Sequence, residues 1–131
     1  MKKSEKNESN QIGKVYSKPW GNYQTLHMKG NYQIKVITIK PGGKLSLQKH
    51  EHRCEHWVIV KGALKVTKGD KKSNKQVNDY IFIDKEEVHR LENEQEVNAE
   101  LVEIQYGDYL GEDDIIRLDD KYGRTSKKSI K

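Results

Sequence analysis

The sequence predicts an all-β domain, a sandwich or barrel, and three observations predict it. Short apolar or alternating runs recur at near-regular spacing between Lys14 and Tyr106. Gly, Pro, Asn or Asp stands between them. Nothing before residue 110 repeats with a helical period. Short strands punctuated by turn residues are what sandwiches and barrels look like in sequence.

Taken in order, Met1 to Asn10 is polar, charged and aperiodic, and residues 1–10 are expected to be a disordered leader. Lys14-Val15-Tyr16 reads as a short edge strand. Lys18-Pro19-Trp20-Gly21 is a turn carrying a large aromatic, and Pro19 forces Lys18 into an extended conformation. Tyr23 to Met28 is a strand, with a turn at Lys29-Gly30-Asn31. Tyr32 to Lys40 is a stronger one, rich in β-branched residues, until Pro41-Gly42-Gly43 breaks it. Leu45 and Leu47 then alternate with Ser46 and Gln48, the period of a strand. Trp57 to Val60 is an apolar run closed at Lys61-Gly62, and Ala63 to Lys68 alternates as a strand with one wet face. Gly69 to Asn78 reads as a polar hairpin region, Tyr80 to Ile83 as a short buried strand and Asp84 to Glu87 as an acidic turn. Val88 to Asn93 and Val97 to Tyr106 complete the strands. The segment Gly107 to Leu118 is expected to hold one helical turn started by acidic residues. The folded domain is expected over residues 11–124, followed by a basic tail at 125–131.

The chain has 131 residues, enough for one domain with a real core. Charged residues make up 34% and mean hydropathy is −1.03, so the core is modest. The net charge is +5, but the first ten residues carry +1 and the last seven +3, leaving +1 for residues 11–124. Basicity confined to the tails argues against a nucleic-acid partner. Cys54 is alone, which excludes an internal disulfide and fits a reducing compartment. No run has the apolar length of a membrane span or a signal-peptide core, so no membrane partner is expected and the cytoplasm is the expected location.

Chemistry concentrates in Gly42 to Gly62, which packs three of the five histidines beside Gln48 and two glutamates. Metal donors must converge, and a strand supplies them at every second residue. Gln48, His50 and His52 would leave one strand on the same face, with Glu55 opening the next. Two registers are open: His50 with His52, or Gln48 with His50.

The stretch resembles the cupin barrels, recognised by Gly, five residues, His-x-His, three or four residues, Glu, six residues, Gly. Gly42, Gln48, His50, Glu55 and Gly62 satisfy every interval, with Gln48 where the first His usually stands. The other register would put Trp57 or His56 where Glu is required. The second cupin motif ends in His, three residues, Asn, matched by His89 and Asn93, while its Pro and Gly fall at Asp84 and Glu86. The resemblance implies a single-domain cupin, a double-stranded β-helix or jelly-roll barrel. It also implies the ligand set Gln48, His50, Glu55 and His89, which suits zinc first and manganese, iron or nickel after it.

From Lys18 to Arg124 the chain resembles more narrowly the C-terminal cupin domain of type II phosphomannose isomerases, usually fused to a mannose-1-phosphate guanylyltransferase. The segments that carry this are Lys18-Pro19-Trp20-Gly21-Asn22-Tyr23, Leu45-Ser46-Leu47-Gln48, His50 through Trp57 and His89-Arg90-Leu91-Glu92-Asn93. Gly107-Asp108-Tyr109-Leu110-Gly111-Glu112-Asp113-Asp114-Ile115, Arg117 and Tyr122-Gly123-Arg124 complete them. Lys18 and Lys44 stand where that family commonly has Arg, keeping the charge without the guanidinium fork.

The resemblance implies interconversion of mannose 6-phosphate and fructose 6-phosphate through an enediol, supplying mannose for nucleotide-sugar synthesis. Such chemistry needs a proton shuttle, for which His52 and His56 are the candidates. Lys18, Lys44, Arg53, Arg90, Arg117 and Arg124 form the pool for the phosphate. The acidic run Glu112-Asp113-Asp114 would repel phosphate and is expected to orient those arginines or bind sugar hydroxyls. The fold resemblance implies a homodimer through the outer face of one sheet. Two rival functions are a non-catalytic sugar-phosphate or nucleotide-sugar binding module and a cupin dioxygenase.

Overall fold

The structure is a computed structural model and describes residues 10–125. The expected leader, apart from Asn10, and the expected basic tail, apart from Thr125, lie outside the described residues. Eleven strands are formed among them: β1 Val15–Lys18, β2 Gly21–Lys29, β3 Tyr32–Ile39, β4 Leu47–Lys49, β5 Arg53–Lys61, β6 Ala63–Lys68, β7 Lys71–Gln76, β8 Tyr80–Ile83, β9 His89–Glu92, β10 Ala99–Gly107 and β11 Ile116–Asp119. They make two antiparallel sheets, ordered β1-β2-β3-β10-β5-β8 and β11-β4-β9-β6-β7. The all-β expectation holds.

The alternation of each long strand decides what lies between the sheets. Along β5, Arg53, Glu55, Trp57 and Ile59 are buried, while His56 and Val58 face out. Along β10, Ala99, Leu101, Glu103, Gln105 and Gly107 are the buried row. On β3 the buried row is Gln33, Lys35, Ile37 and Ile39, so Ile34 and Val36 turn to the outer face. Register aligns these rows: Leu101 stands opposite Ile37 and Ile59, Glu103 opposite Lys35 and Trp57, and Gln105 opposite Gln33 and Glu55. From the second sheet, Leu64, Val66 and Leu91 close the apolar core.

The motif residues at the turns do structural work. Gly42 and Gly62 have φ of +78° and +73°, the left-handed region that glycine enters without a Cβ clash. Glu86 stands where the cupin pattern has Gly and still takes φ +63°, a conformation costing a non-glycine residue about 1–2 kcal/mol. Its N–H donates to the His50 carbonyl at 2.7 Å, so the turn keeps its shape and ties itself to the loop that carries His50. Asn93 is fully buried and donates to the carbonyls of Ile39 and Val97, at 2.9 and 2.8 Å.

Two expectations are corrected. Residues 108–118 form no helical turn. Glu112 and Asp113 make a non-helical turn, and β11 follows because its backbone finds a ladder partner in β4. Asn10 does not belong to a disordered leader: it is buried, accepts from the Tyr23 hydroxyl at 2.8 Å and donates to Gln33 Oε1 at 3.0 Å and Glu112 Oε2 at 2.9 Å.

Candidate metal centre

The short strand β4 brings in Gln48, and register sets it opposite His89 of β9. His50 lies just past the end of β4, and Glu55 faces inward from β5. His50, Glu55 and His89 are each 3% exposed or less, with donor atoms all within 4.8 Å of one another. His50 Nε2 is 3.2 Å from Glu55 Oε2, and His89 Nε2 is 4.0 Å from Glu55 Oε1. Gln48 Nε2 is 3.3 Å from His50 Nε2 and 3.5 Å from His89 Nε2. Donors bound at ~2.1 Å to a tetrahedral ion stand ~3.4 Å apart. The spacing fits.

Proton positions fit as well. His50 Nδ1–H donates to the Asp114 carbonyl at 2.6 Å and His89 Nδ1–H to the Glu87 carbonyl at 2.9 Å. Each bond fixes the tautomer that leaves an Nε2 lone pair aimed into the site, the usual arrangement behind a metal-ligating histidine. Burial, aided by the Arg53 cation, pushes His50 down to about 4, and burial also lowers His89. Both rings are therefore neutral, as ligation requires. Burial opposes ionisation of Glu55, but His50, which takes up a proton at low pH, and the Arg53 cation outweigh it and hold the carboxyl well below its usual range. The Gln48 amide turns its nitrogen to the two lone pairs, while Ser46 Oγ donates to its oxygen at 2.5 Å. A half-turn presents the oxygen instead, and the Ser46 hydroxyl accepts as readily as it donates. Two neutral imidazoles, a carboxylate and an amide oxygen fit a divalent ion of intermediate hardness.

Around these donors lies a buried polar network. Arg53 Nε donates to Glu55 Oε2 at 2.9 Å, with a second guanidinium nitrogen 3.4 Å from His50 Nε2. The Trp57 indole N–H bridges Glu55 Oε1 and Glu103 Oε2, at 3.0 and 3.2 Å. Burial and the neighbouring Glu55 push the Glu103 carboxyl well above its usual range, so it keeps its proton while Glu55 is ionised. Lys35 Nζ meets Glu112 Oε2 at 2.6 Å. Sequence reasoning missed Lys35, Glu103 and Gln105, because single polar residues in an alternating strand look like its wet face.

Lys18, Arg90, Arg117 and Arg124 line the same pocket as the metal donors, with Trp20, Leu45 and Ile115 as apolar wall. Arg124 Nε and Nη2 donate to the two carboxylate oxygens of Asp120, at 2.8 and 3.1 Å. Arg90 donates to the Leu45 carbonyl and to Asp119 Oδ2, at 2.9 and 2.7 Å. Burial and the nearby Arg124 guanidinium lower Arg117, the mark of two cations crowded on one wall. Such a wall suits an anion.

Three expected site residues are not brought there. The chain bends at Glu51 and His52, which turns the His52 ring away to Asp108 Oδ1 at 3.6 Å, with half of its side chain exposed. His56 faces out from β5, bonded to the Tyr80 hydroxyl at 2.7 Å. Lys44 lies over the outer face of the second sheet, near Lys65 and Glu92. The acidic run acts at three separate places, and only Glu112 reaches the arginines, through its charge on Arg53 and Arg117. Glu112 pairs with Lys35, Asp113 accepts from the Tyr109 hydroxyl at 2.5 Å, and Asp114 accepts from the Glu51 and His52 N–H groups.

Residues 4–120 match the family model described as mannose-6-phosphate isomerase C-terminal. The alginate biosynthesis protein AlgA of Pseudomonas aeruginosa is 48% identical over 113 residues, covering 86% of this chain and 24% of that protein. The mannose-1-phosphate guanylyltransferase RfbM of Salmonella typhimurium is 42% identical over 123 residues, covering 94% and 26%. The chain thus spans about a quarter of the length of the curated relatives it matches. Among solved structures, KdgF from Halomonas sp. superposes with a TM-score of 0.67 at 11% identity, over 77% of this chain and 96% of that one, a likeness of fold alone. The barrel is a cupin, as expected.

Proposed function

The chain belongs to the mannose-6-phosphate isomerase C-terminal family, and from that premise we propose that it is a metal-dependent aldose–ketose isomerase, interconverting mannose 6-phosphate and fructose 6-phosphate through an enediol. The observation that carries this is the convergence, in one pocket, of His50, Glu55, His89 and Gln48 with the cations Lys18, Arg90, Arg117 and Arg124.

Gln48, His50, Glu55 and His89 would hold the ion, zinc being the first choice from the donor set. A bound divalent ion supplies Lewis-acid polarisation of the sugar carbonyl. Arg117 and Arg124 take the phosphate, with Asp120 holding the Arg124 fork in a fixed plane. Lys18 and Arg90 complete the cationic rim, and Trp20 and Ile115 keep water from the sugar. The proton moves between neighbouring sugar carbons inside this pocket, so the group that carries it belongs to the pocket lining and not to His52 or His56. A second copy of the chain covers the outer face of the first sheet, where Val58, Tyr80, Ile104 and Tyr106 are exposed together. The reaction belongs in the cytoplasm.

One observation favours a second reading. The two histidines expected to carry the proton lie outside the pocket, which leaves a cationic wall that holds a sugar phosphate with no assigned base to turn it over.

A coupled assay of fructose 6-phosphate formation, on protein stripped of metal and reloaded, decides between them. Turnover that disappears on stripping and returns with a divalent ion is expected. Retained sugar-phosphate binding without turnover under any ion would overturn the isomerase in favour of the binding module.

A further inference from the structure

The segment from Asp114 to Asp119 reaches the candidate metal centre by two separate routes. The first is a ladder. Strand β11 lies at the edge of its sheet against β4, which sets Arg117 opposite Gln48, and Gln48 is in turn opposite His89. Facing residues on adjacent antiparallel strands share a face. One row across three strands therefore carries an arginine of the cationic wall and two metal donors.

The second route is Asp114 itself, 6% exposed and two residues before the start of β11. Strand β4 ends at Lys49, and two backbone donors just beyond His50 go to this one side chain. Glu51 N–H donates to Asp114 Oδ1 at 2.9 Å and His52 N–H to Oδ2 at 3.0 Å. The same residue's carbonyl accepts from His50 Nδ1 at 2.6 Å. One residue thus fixes the tautomer of His50 and closes the bend that follows it. Without the carboxylate, two backbone N–H groups beside a buried ligand lose their partner, and the bend that aims His50 inward loses its tie.

We propose that Asp114 is a positioning residue for His50, and that through it the arginine-bearing strand β11 and the metal donors order one another. The inference rests on the metal reading above. Linkage makes the effect reciprocal: order that metal binding imposes on β11 returns as affinity for metal when β11 is held.

The test is Co²⁺ binding to the metal-stripped protein, read as affinity and as visible absorption spectrum, together with amide hydrogen exchange of residues 115–119 with and without Co²⁺. Asp114→Ala is expected to weaken Co²⁺ binding about 10–100-fold, the usual cost of losing support behind a ligand. Asp114→Asn, which keeps one oxygen for one N–H group, should lose less and fold if the alanine variant does not. Both should shift the Co²⁺ spectrum and abolish the protection that Co²⁺ gives β11 in the wild type. A merely structural role would lower the melting temperature and leave the spectrum alone. Asp113→Asn, which touches only the Tyr109 hydroxyl among the bonds named above, serves as control and should bind as the wild type does. Wild-type affinity and spectrum in the Asp114 variants would overturn the proposal, as would exchange at 115–119 that Co²⁺ leaves unchanged. A wild-type protein that binds no Co²⁺ would remove the metal reading itself, and this inference with it.

Discussion

The barrel interior has two ends, built by the same three strands in opposite chemistry. At one end β3, β5 and β10 turn Ile37, Ile39, Ile59, Ala99 and Leu101 inward. At the other, two to six residues away, they turn in Gln33, Lys35, Arg53, Glu55, Glu103 and Gln105. Trp57 marks the border, its ring in the core and its N–H on two carboxyl groups. The apolar end is what stabilises the fold, in proportion to the surface removed from water. The polar end costs desolvation, and persists because its members are paired: Gln33 accepts from Asn10 and Thr25 and donates to Gln105, which donates to Glu103. Apolar residues there would stabilise as well or better. A folded domain that keeps so many polar groups inside keeps them for a site.

That division is broken most severely by removing a metal donor. His89→Ala is expected to lose bound metal and to lower isomerase turnover by on the order of 10³, the several kcal/mol that a Lewis-acid ion supplies. Metal analysis beside the coupled assay checks it. Retention of both would make the polar end a structural network. The reciprocal change, Leu101→Ala at a position with no exposure, should lower unfolding free energy by about 2–5 kcal/mol in denaturant titrations. Metal affinity and turnover per folded molecule should stay near wild type. A Leu101→Ala protein that loses metal while still folded would show the two ends to be one unit.

The apolar end was legible because its residues alternate, and the convergence of His50, Glu55 and His89 because their spacing matches a pattern that only converging side chains need. The polar floor was not. On β3 the β-branched Ile34 and Val36 suggest an apolar inner face, yet the neighbouring sheet residues put Gln33 and Lys35 inside and those two outside. Either face of such a strand reads as buried, and only long-range partners such as Gln105 and Glu112 decide. Acidic residues after Gly107 suggested a helix start for the same reason: local preference cannot see that β4 offers a vacant edge.

The Lys35–Glu112 pair sharpens the contrast through pH. Burial opposes ionisation of Glu112, but Lys35 and Arg53 outweigh it and hold the carboxyl at about 2, against an ordinary 4.5. The folded value lies below the unfolded one, so the unfolded chain takes up protons first as pH falls. Stability from this group is full above the ordinary value and is lost progressively toward the folded one. Glu112→Gln should therefore be less stable at neutral pH, and its melting temperature should fall less steeply between about pH 5 and pH 3. Equal slopes in thermal melts would show that the pair contributes nothing.

The smallest effects are expected outside the barrel, at the two histidines that were the candidates for the proton shuttle. The period of a strand puts His52 on the face of Gln48 and His50, but Asp114 takes the two N–H groups at the bend and the ring swings to solvent beside Asp108. His56 follows the alternation of β5 faithfully, and for that reason it points away from Glu55. His52→Ala and His56→Ala should each change stability by no more than about 0.5 kcal/mol and metal affinity by no more than about twofold. Gln48→Ala should weaken metal binding more than either, in the same competition titration. A larger loss from His52→Ala would mean that the bend straightens and the ligand register moves by one strand period. Lost turnover in His56→Ala with metal retained would mean that the outer face reaches the reaction.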